Sequence, residues 1–321
     1  MFTKNTLQFT FPLVYNGFMK KNSIIMALIG LCLSSTACSA NKTPVDVVLM
    51  AGQSNMVGCS RVTYLNNSAG SVKYQEYLNG YNGIRIAYDN LTKDAIDVYP
   101  EQNTSHGAFV KVMLGEGNAD ITFGPEVGMG ETLSQTAHNN NIFLIKYACG
   151  ASNLLDDWAA PSSGRISGLY AGFVSYVRAQ IKALQDDGYA PSIRAMCWMQ
   201  GEGDSYPGYS TQYLSQLSYF VGDLREELME FCDGTEFAFI DAGISDSPLW
   251  VEYATINAAK EQFAAQNERN IYIDTIEHGL STSSEPPEEP DVAHYDSASM
   301  IELGHLFAEA LLPFLSTFET E

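Results

Sequence analysis

The sequence predicts a three-layer α/β/α sandwich around a central parallel sheet, on three observations. Five short apolar runs alternate with longer amphipathic ones, the pattern of successive βαβ units with right-handed crossovers. Several of the short runs are continuously apolar, as in strands covered on both faces. Polar, glycine-bearing segments follow these runs directly, where an open α/β sheet gathers its functional groups. In chain order, residues 45–50 read as the first strand, and residues 126–138 as a helix with Pro125 at its entry. Residues 142–148 form the next strand and 169–187 the next helix. Strands at 193–199, 237–240 and 271–273 then alternate with helices at 213–231, 253–266 and 297–315. Residues 59–122 and 281–290 are rich in Gly, Asn, Tyr, Pro and Glu and read as long loops over the sheet edge.

The 321 residues are 45% hydrophobic and 12% aromatic, enough to bury one sizeable core. A formal charge of −21 repels phosphate backbones and anionic headgroups, which argues against a nucleic-acid partner and a basic-patch membrane mode. Met19-Lys20-Lys21, an apolar run over 24–33 and small residues over 34–37 have the pattern of an export signal, with Met19 as the expected start. That run is shorter than the ~20 residues needed to span a bilayer, and no later run approaches this length. The expected organisation is an export signal over 1–40 and a single catalytic domain over 41–321. Cleavage after Ala37 would leave Cys38 first, so secretion and a lipid anchor at Cys38 both stay open, in the periplasm, on the outer membrane or outside a bacterial cell. The six cysteines include no Cys-x-x-Cys pair, so no zinc or redox site is expected. Cys149 and Cys197, inside apolar runs, read as buried thiols.

Ser54 directly follows the first strand, behind Gly52 and ahead of a helical turn, a setting that exposes a hydroxyl beside backbone N–H groups. A serine nucleophile needs a base, and the chain has five histidines. His294 stands out because Asp291, three residues earlier, can hold one ring nitrogen and leave the other to take the serine proton. His138 and His305 lie in helical patterns and read as structural; His106 lies in the long loop within reach of substrate, and His278 is the reserve base. Ser152, in Gly150-Ala151-Ser152-Asn153, also follows a strand but is the weaker nucleophile candidate. Glu202 and Asp204 read either as supports or sugar contacts, or as solvated loop carboxylates. Trp158, Tyr64, Tyr74, Tyr77, Tyr81 and Tyr206 are candidates for stacking on sugar rings, while Trp198 reads as core.

Five blocks occur in order: Gly-Gln-Ser-Asn-Met at 52–56, Phe-Gly-Pro-Glu at 123–126, Lys-Tyr-Ala-Cys-Gly-Ala-Ser-Asn-Leu at 146–154, Trp-Met-Gln-Gly-Glu-Gly-Asp at 198–204 and Asp-Val-Ala-His-Tyr-Asp at 291–296. Together they resemble the sialate O-acetylesterase-like, carbohydrate esterase family six branch of the SGNH hydrolases. The resemblance implies a flavodoxin-like sandwich and a serine esterase without metal or organic cofactor. It puts the nucleophile on Ser54, the base on His294 and the orienting acid on Asp291. Its oxyanion-hole donors fall on the backbone N–H groups of Ser54 and Gly150 and the side-chain amide of Gln200. Ala151 stands where many relatives have glycine, which restricts that turn. Gln53, Asn55, Arg61 and Glu202 are the expected substrate contacts. The expected substrate is an acetylated carbohydrate, with a neutral polysaccharide of the acetylxylan type favoured by the acidic surface and an acetylated sialic acid as the alternative. A glycan-binding surface lipoprotein without turnover is the reading from another class.

Overall fold

A computed structural model describes residues 42–93, 104–136 and 141–316. The expected export signal, Cys38 and His138 lie outside the described residues. In chain order the elements are β1 (Thr43–Gly52), α1 (Ser54–Val57), β2 (Ser60–Arg61), α2 (Val62–Ala69), α3 (Ser71–Asn79), β3 (Tyr81–Thr92), β4 (Thr104–Val112), β5 (Thr122–Phe123), α4 (Glu126–Thr136) and β6 (Ile142–Gly150). They continue with α5 (Gly168–Asp186), β7 (Tyr189–Met199), α6 (Tyr213–Leu228), β8 (Ala238–Ala242), α7 (Tyr253–Ala264), β9 (Asn270–Ile273) and α8 (Ser297–Leu311).

Seven strands form one sheet in the order β4-β3-β6-β1-β7-β8-β9, and every neighbouring pair is parallel except β3 with the edge strand β4. Every position of β6 and β8 is buried, as their continuous apolar runs require of strands covered on both faces. One helical layer holds α4 packed on α8, with α2 and α3 beside them; the other holds α5, α6 and α7. Among the described residues no helix is long and apolar enough to cross a membrane.

The predicted loop over 59–122 is corrected by the structure, since it holds α2, α3, β3, β4 and β5. In β3, Ile84, Ile86 and Ala87 enter the core while polar residues interleave, and the Gly, Asn and Tyr content masked that alternation. Tyr77, Tyr81 and Trp158 are buried, so they are core rather than sugar platforms. Residues 281–290 do lack helix and strand. The helix predicted to reach 315 stops at Leu311 because Pro313 cannot donate to the ladder, and a 3-10 turn (Leu312–Phe314) follows. Cys149 and Cys197 are buried as expected, and no disulfide joins the described cysteines.

Candidate active site

From β1 in the middle of the sheet the chain moves first to β3, β4 and β6 on one side, and then to β7, β8 and β9 on the other. The topological switch point therefore lies at the carboxyl end of β1, between β6 and β7, where an open α/β sheet leaves its crevice. Ser54, Gly150 and Gln200 stand at the ends of these three adjacent strands. Gly52 makes the exit from β1 possible: its φ is +148°, and a Cβ there would sit 2.0 Å from the Met199 carbonyl oxygen. Gln53 N–H then donates to that same carbonyl at 2.9 Å, and α1 begins with Ser54. Gln53, Asn55, Met56 and Val57 are buried while Ser54 is part-exposed, so its hydroxyl is what this turn presents outward.

Beneath the turn lies a buried cation. Lys146 Nζ donates to the Val57 carbonyl at 3.1 Å, the Glu116 carbonyl at 3.0 Å and Glu126 Oε2 at 2.9 Å. Glu126 in turn accepts from the Gly124 N–H at 2.8 Å. The Phe-Gly-Pro-Glu and Lys-Tyr-Ala blocks are thus a support for the α1 turn. Burial, reinforced by the neighbouring Glu126, pushes the Glu116 carboxyl up to about 8.

His294 lies on the loop before α8, with its Nδ1 2.7 Å from Asp291 Oδ2. Backbone bonds from Asp291 N–H to the Glu285 carbonyl and from His294 N–H to the Asp291 carbonyl shape this turn. With Nδ1 held by the carboxylate, Nε2 is the nitrogen left for proton transfer. Asn55 clamps the loop on both sides of the base. Its Nδ2 donates to Glu202 Oε1 at 2.8 Å and to the Ala293 carbonyl at 3.4 Å, and its Oδ1 accepts from the Tyr295 N–H at 3.0 Å. Ser60 Oγ adds a bond to the Tyr295 carbonyl at 2.7 Å. Asn55, next to Ser54, therefore sets the register of the residues flanking His294. Asn55→Ala is expected to lower kcat by about 10²-fold, the scale of a misplaced catalytic group, with KM changed little, as read from steady-state kinetics on a variant whose circular dichroism matches wild type.

The electrostatics of the pair can be read from pH. Burial lowers the pKa of His294, but its contacts with Asp291 and the neighbouring Cys59 more than offset this and raise it above the ordinary imidazole value. The bond from His294 holds the Asp291 carboxyl below the usual carboxylate range, with help from Arg61. A base must be unprotonated to accept the serine proton, so activity is lost as pH falls through the raised pKa. The acid limb of the kcat/KM profile is expected above pH ~6.5, and Cys59→Ala is expected to move it to lower pH. A limb unmoved by Cys59→Ala would refute the role given to the thiol. Cys59 was not foreseen from the sequence; its one cue is its place five residues past Ser54.

The expected donors meet the structure unevenly. Gly150 ends β6, and the turn after it contains Ala151 at φ +58°, the one non-glycine residue with positive φ among those described. Alanine therefore does adopt the turn for which glycine is better suited, at about 1–2 kcal/mol of backbone strain. Gln200 corrects the expectation of a side-chain oxyanion donor. It is fully buried, and its Nε2 faces three interior acceptors, Asp204 Oδ2 at 2.6 Å, Gln53 Oε1 at 3.1 Å and the Ser152 carbonyl at 3.3 Å. In this arrangement Gln200 braces the loops after β1, β6 and β7.

Gln53, Asn55 and Glu202, expected to touch substrate, are likewise buried. Gln53 Oε1 accepts from the Gly203 N–H at 3.0 Å, and Glu202 anchors Asn55 with its pKa raised by burial. Asp204 is no solvated carboxylate either: it accepts from the Leu154 and Leu155 N–H groups at 2.7 and 3.2 Å. Ser152 is fully buried between the Cys149 carbonyl at 2.6 Å and the Trp158 indole N–H at 2.9 Å, which removes it as a nucleophile. Arg61 is exposed and lines a crevice with Cys59, Tyr64, Glu285, Asp291 and His294. His106 sits on the edge strand β4, His278 lines a separate crevice with Asp274 and Glu277, and His305 pairs with Glu131 on α4.

Residues 44–313 match the family described as carbohydrate esterase, sialic acid-specific acetylesterase. The chain belongs to this family. As a member of the carbohydrate esterase, sialic acid-specific acetylesterase family, it is a carboxylic ester hydrolase. Solved structures share its fold at low identity. A protein from Arabidopsis thaliana is 18% identical with a TM-score of 0.60, covering 85% of this chain and 100% of its own. NanS is 15% identical with a TM-score of 0.58, covering 85% and 98%. XAC1771, described as a carbohydrate acetylesterase from Xanthomonas citri, is 17% identical with a TM-score of 0.51, covering 83% of this chain and 55% of its own. No curated protein matches the chain.

Proposed function

We propose that this carbohydrate esterase removes O-acetyl groups from sugars through an acyl-enzyme on Ser54. The observation that carries the reading is the clamp by which Asn55, next to Ser54, holds the residues on either side of His294, while Asp291 orients its ring. Ser54 Oγ attacks the acetyl carbonyl as His294 Nε2 takes its proton. Charge then grows on the carbonyl oxygen, where the backbone N–H groups of Ser54 and Gly150 are the proposed donors. The protonated imidazole returns its proton to the departing sugar hydroxyl, and water activated by the same nitrogen releases acetate.

The acidic exterior supports a neutral acetylated polysaccharide of the xylan type as substrate, and the family's own description supports an acetylated sialic acid. The basic and apolar pattern over residues 19–37 supports a site of action outside the cytoplasm. The test is acetate release by the purified chain from acetylated xylan and from O-acetyl sialic acid, with mass spectrometry of the Ser54 peptide after acid quench. An acetylated Ser54 peptide is expected; acetate release with the acetyl group elsewhere would overturn the mechanism. Glycan binding without acetate release would favour the glycan-binding reading.

A further inference from the structure

We propose that Gly128 and Gly304 are positioning residues of this esterase: by letting α4 and α8 meet backbone to backbone, they set the spacing between the turn of Ser54 and the loop of His294. The inference rests on the reading of Ser54 as nucleophile and His294 as base, and adds the part of the fold that fixes their separation.

Glycine is a poor choice inside a helix, where alanine loses less backbone freedom. Yet Gly128 stands in the first turn of α4 and Gly304 in the middle of α8, and both are buried. Space explains them. A Cβ on Gly128 would overlap the Ile301 carbonyl oxygen. One on Gly304 would overlap the Pro125 carbonyl oxygen and stand 2.7 Å from the Met129 nitrogen and 2.8 Å from the Gly128 Cα. Each of these atoms is backbone, so no side chain can turn away to make room. Just past the crossing, His305 Nε2 lies 3.0 Å from Glu131 Oε2 and ties the two helices together.

Each helix leads to one half of the site. At its start α4 carries Glu126, which takes the Lys146 ammonium at 2.9 Å, and the same ammonium holds the Val57 carbonyl of the α1 turn. The approach to α4 lies against that turn as well, since a Cβ on Gly124 would stand 3.1 Å from the Met56 carbonyl oxygen. On the other side, only Tyr295 and Asp296 separate His294 from Ser297, the first residue of α8. The Asp296 carbonyl accepts from the Met300 N–H at 2.9 Å, which joins this loop to the helix. Carbon contacts settle at about 3.5–4.0 Å, so a methyl group at either glycine parts α4 from α8 by on the order of 1 Å. The Asn55 clamp must then stretch, or draw α1 off its seat on Lys146. A displacement of that size at a reacting pair lowers the rate by up to about 10²-fold.

The experiment uses the full chain as wild type, Gly128→Ala, Gly304→Ala and Gly222→Ala, the last at a glycine of α6 where a Cβ finds open space. Steady-state rates on p-nitrophenyl acetate and phenyl acetate are divided by the amount of Ser54 that a fluorophosphonate labels at completion, so unfolded protein does not enter. Gly128→Ala and Gly304→Ala are expected to lower kcat per labelled site by about 10- to 100-fold, with KM within about twofold of wild type. The loss should be greater on phenyl acetate, whose leaving group departs less readily and depends more on a proton from His294. Gly222→Ala should match wild type. Wild-type kcat per labelled site in both variants, a loss carried by KM, or an equal loss on both esters would overturn the proposal. If either alanine variant fails to label, His305→Ala loosens the same crossing without inserting an atom. It should lower kcat by at least about threefold, and an unchanged kcat would overturn the proposal. Ser54→Ala silent beside alanine variants that match wild type would remove this inference alone, whereas Ser54→Ala hydrolysing either ester at the wild-type rate would remove the reading beneath it.

Discussion

Ser54→Ala is expected to lower kcat on p-nitrophenyl acetate by about 10⁴-fold or more, with the fold intact and KM for a good substrate little changed. Removing the nucleophile of a serine relay typically costs this much, because what is left is binding and oxyanion stabilisation alone. Ser54 is the part-exposed group of the α1 turn and makes no contact on which the core depends, so the variant should melt within about 0.5 kcal/mol of wild type, as surface substitutions do. Ser152→Ala is the informative partner. It removes a buried hydroxyl that joins the Cys149 carbonyl to the Trp158 indole, so it should destabilise the protein by about 1–3 kcal/mol while leaving burst kinetics in the folded fraction. Loss of the burst in Ser152→Ala but not in Ser54→Ala would invert the assignment.

Lys146→Ala should produce the largest loss of stability. Its ammonium and the Glu126 carboxylate are both fully buried, 2.9 Å apart. Removing one partner of a buried pair strands the other, at about 3–5 kcal/mol. For a domain of this size that corresponds to a fall in Tm of about 10 °C. The double variant Lys146→Met with Glu126→Gln should recover much of this, because the cost arises from the stranded charge and not from the absent attraction. Activity should fall even in the folded fraction, since Val57 loses the cation beneath its carbonyl and the turn presenting Ser54 loosens. A Lys146→Ala protein that melts with wild type would show that this pair contributes nothing to the support.

The central strands and the five long helices were legible because burial on both faces writes an unbroken apolar run, and burial on one face writes a helical stripe. The region 59–122 was not. There β3 and β4 lie at or next to an open edge, where half-exposed positions admit Asn, Asp, Tyr and Gly and hide the alternation. The site divides along a similar line. Ser54 was singled out by its place directly after the first strand, and Asp291 with His294 by their spacing of three residues. Asn55, Glu202, Gln53 and Gln200 were visible as motif letters, but the first three were expected to touch substrate and Gln200 to donate to the oxyanion, whereas all four are buried and bonded to neighbouring loops. A polar letter in a motif does not reveal whether it faces solvent or the neighbouring loop; only the sheet order, which brings residues 53 and 200 to adjacent strand ends, decides that. Cys59 carried no pattern that distinguished it from a bystander.

The clamp from Asn55 to Tyr295 spans 240 positions of the chain. A polypeptide still lacking its last segment carries Ser54 but not yet His294, the base proposed for it. Turnover is therefore a clock for the end of folding: during refolding, hydrolysis should appear only when the segment before α8 docks, after the sheet has already given its circular dichroism signal.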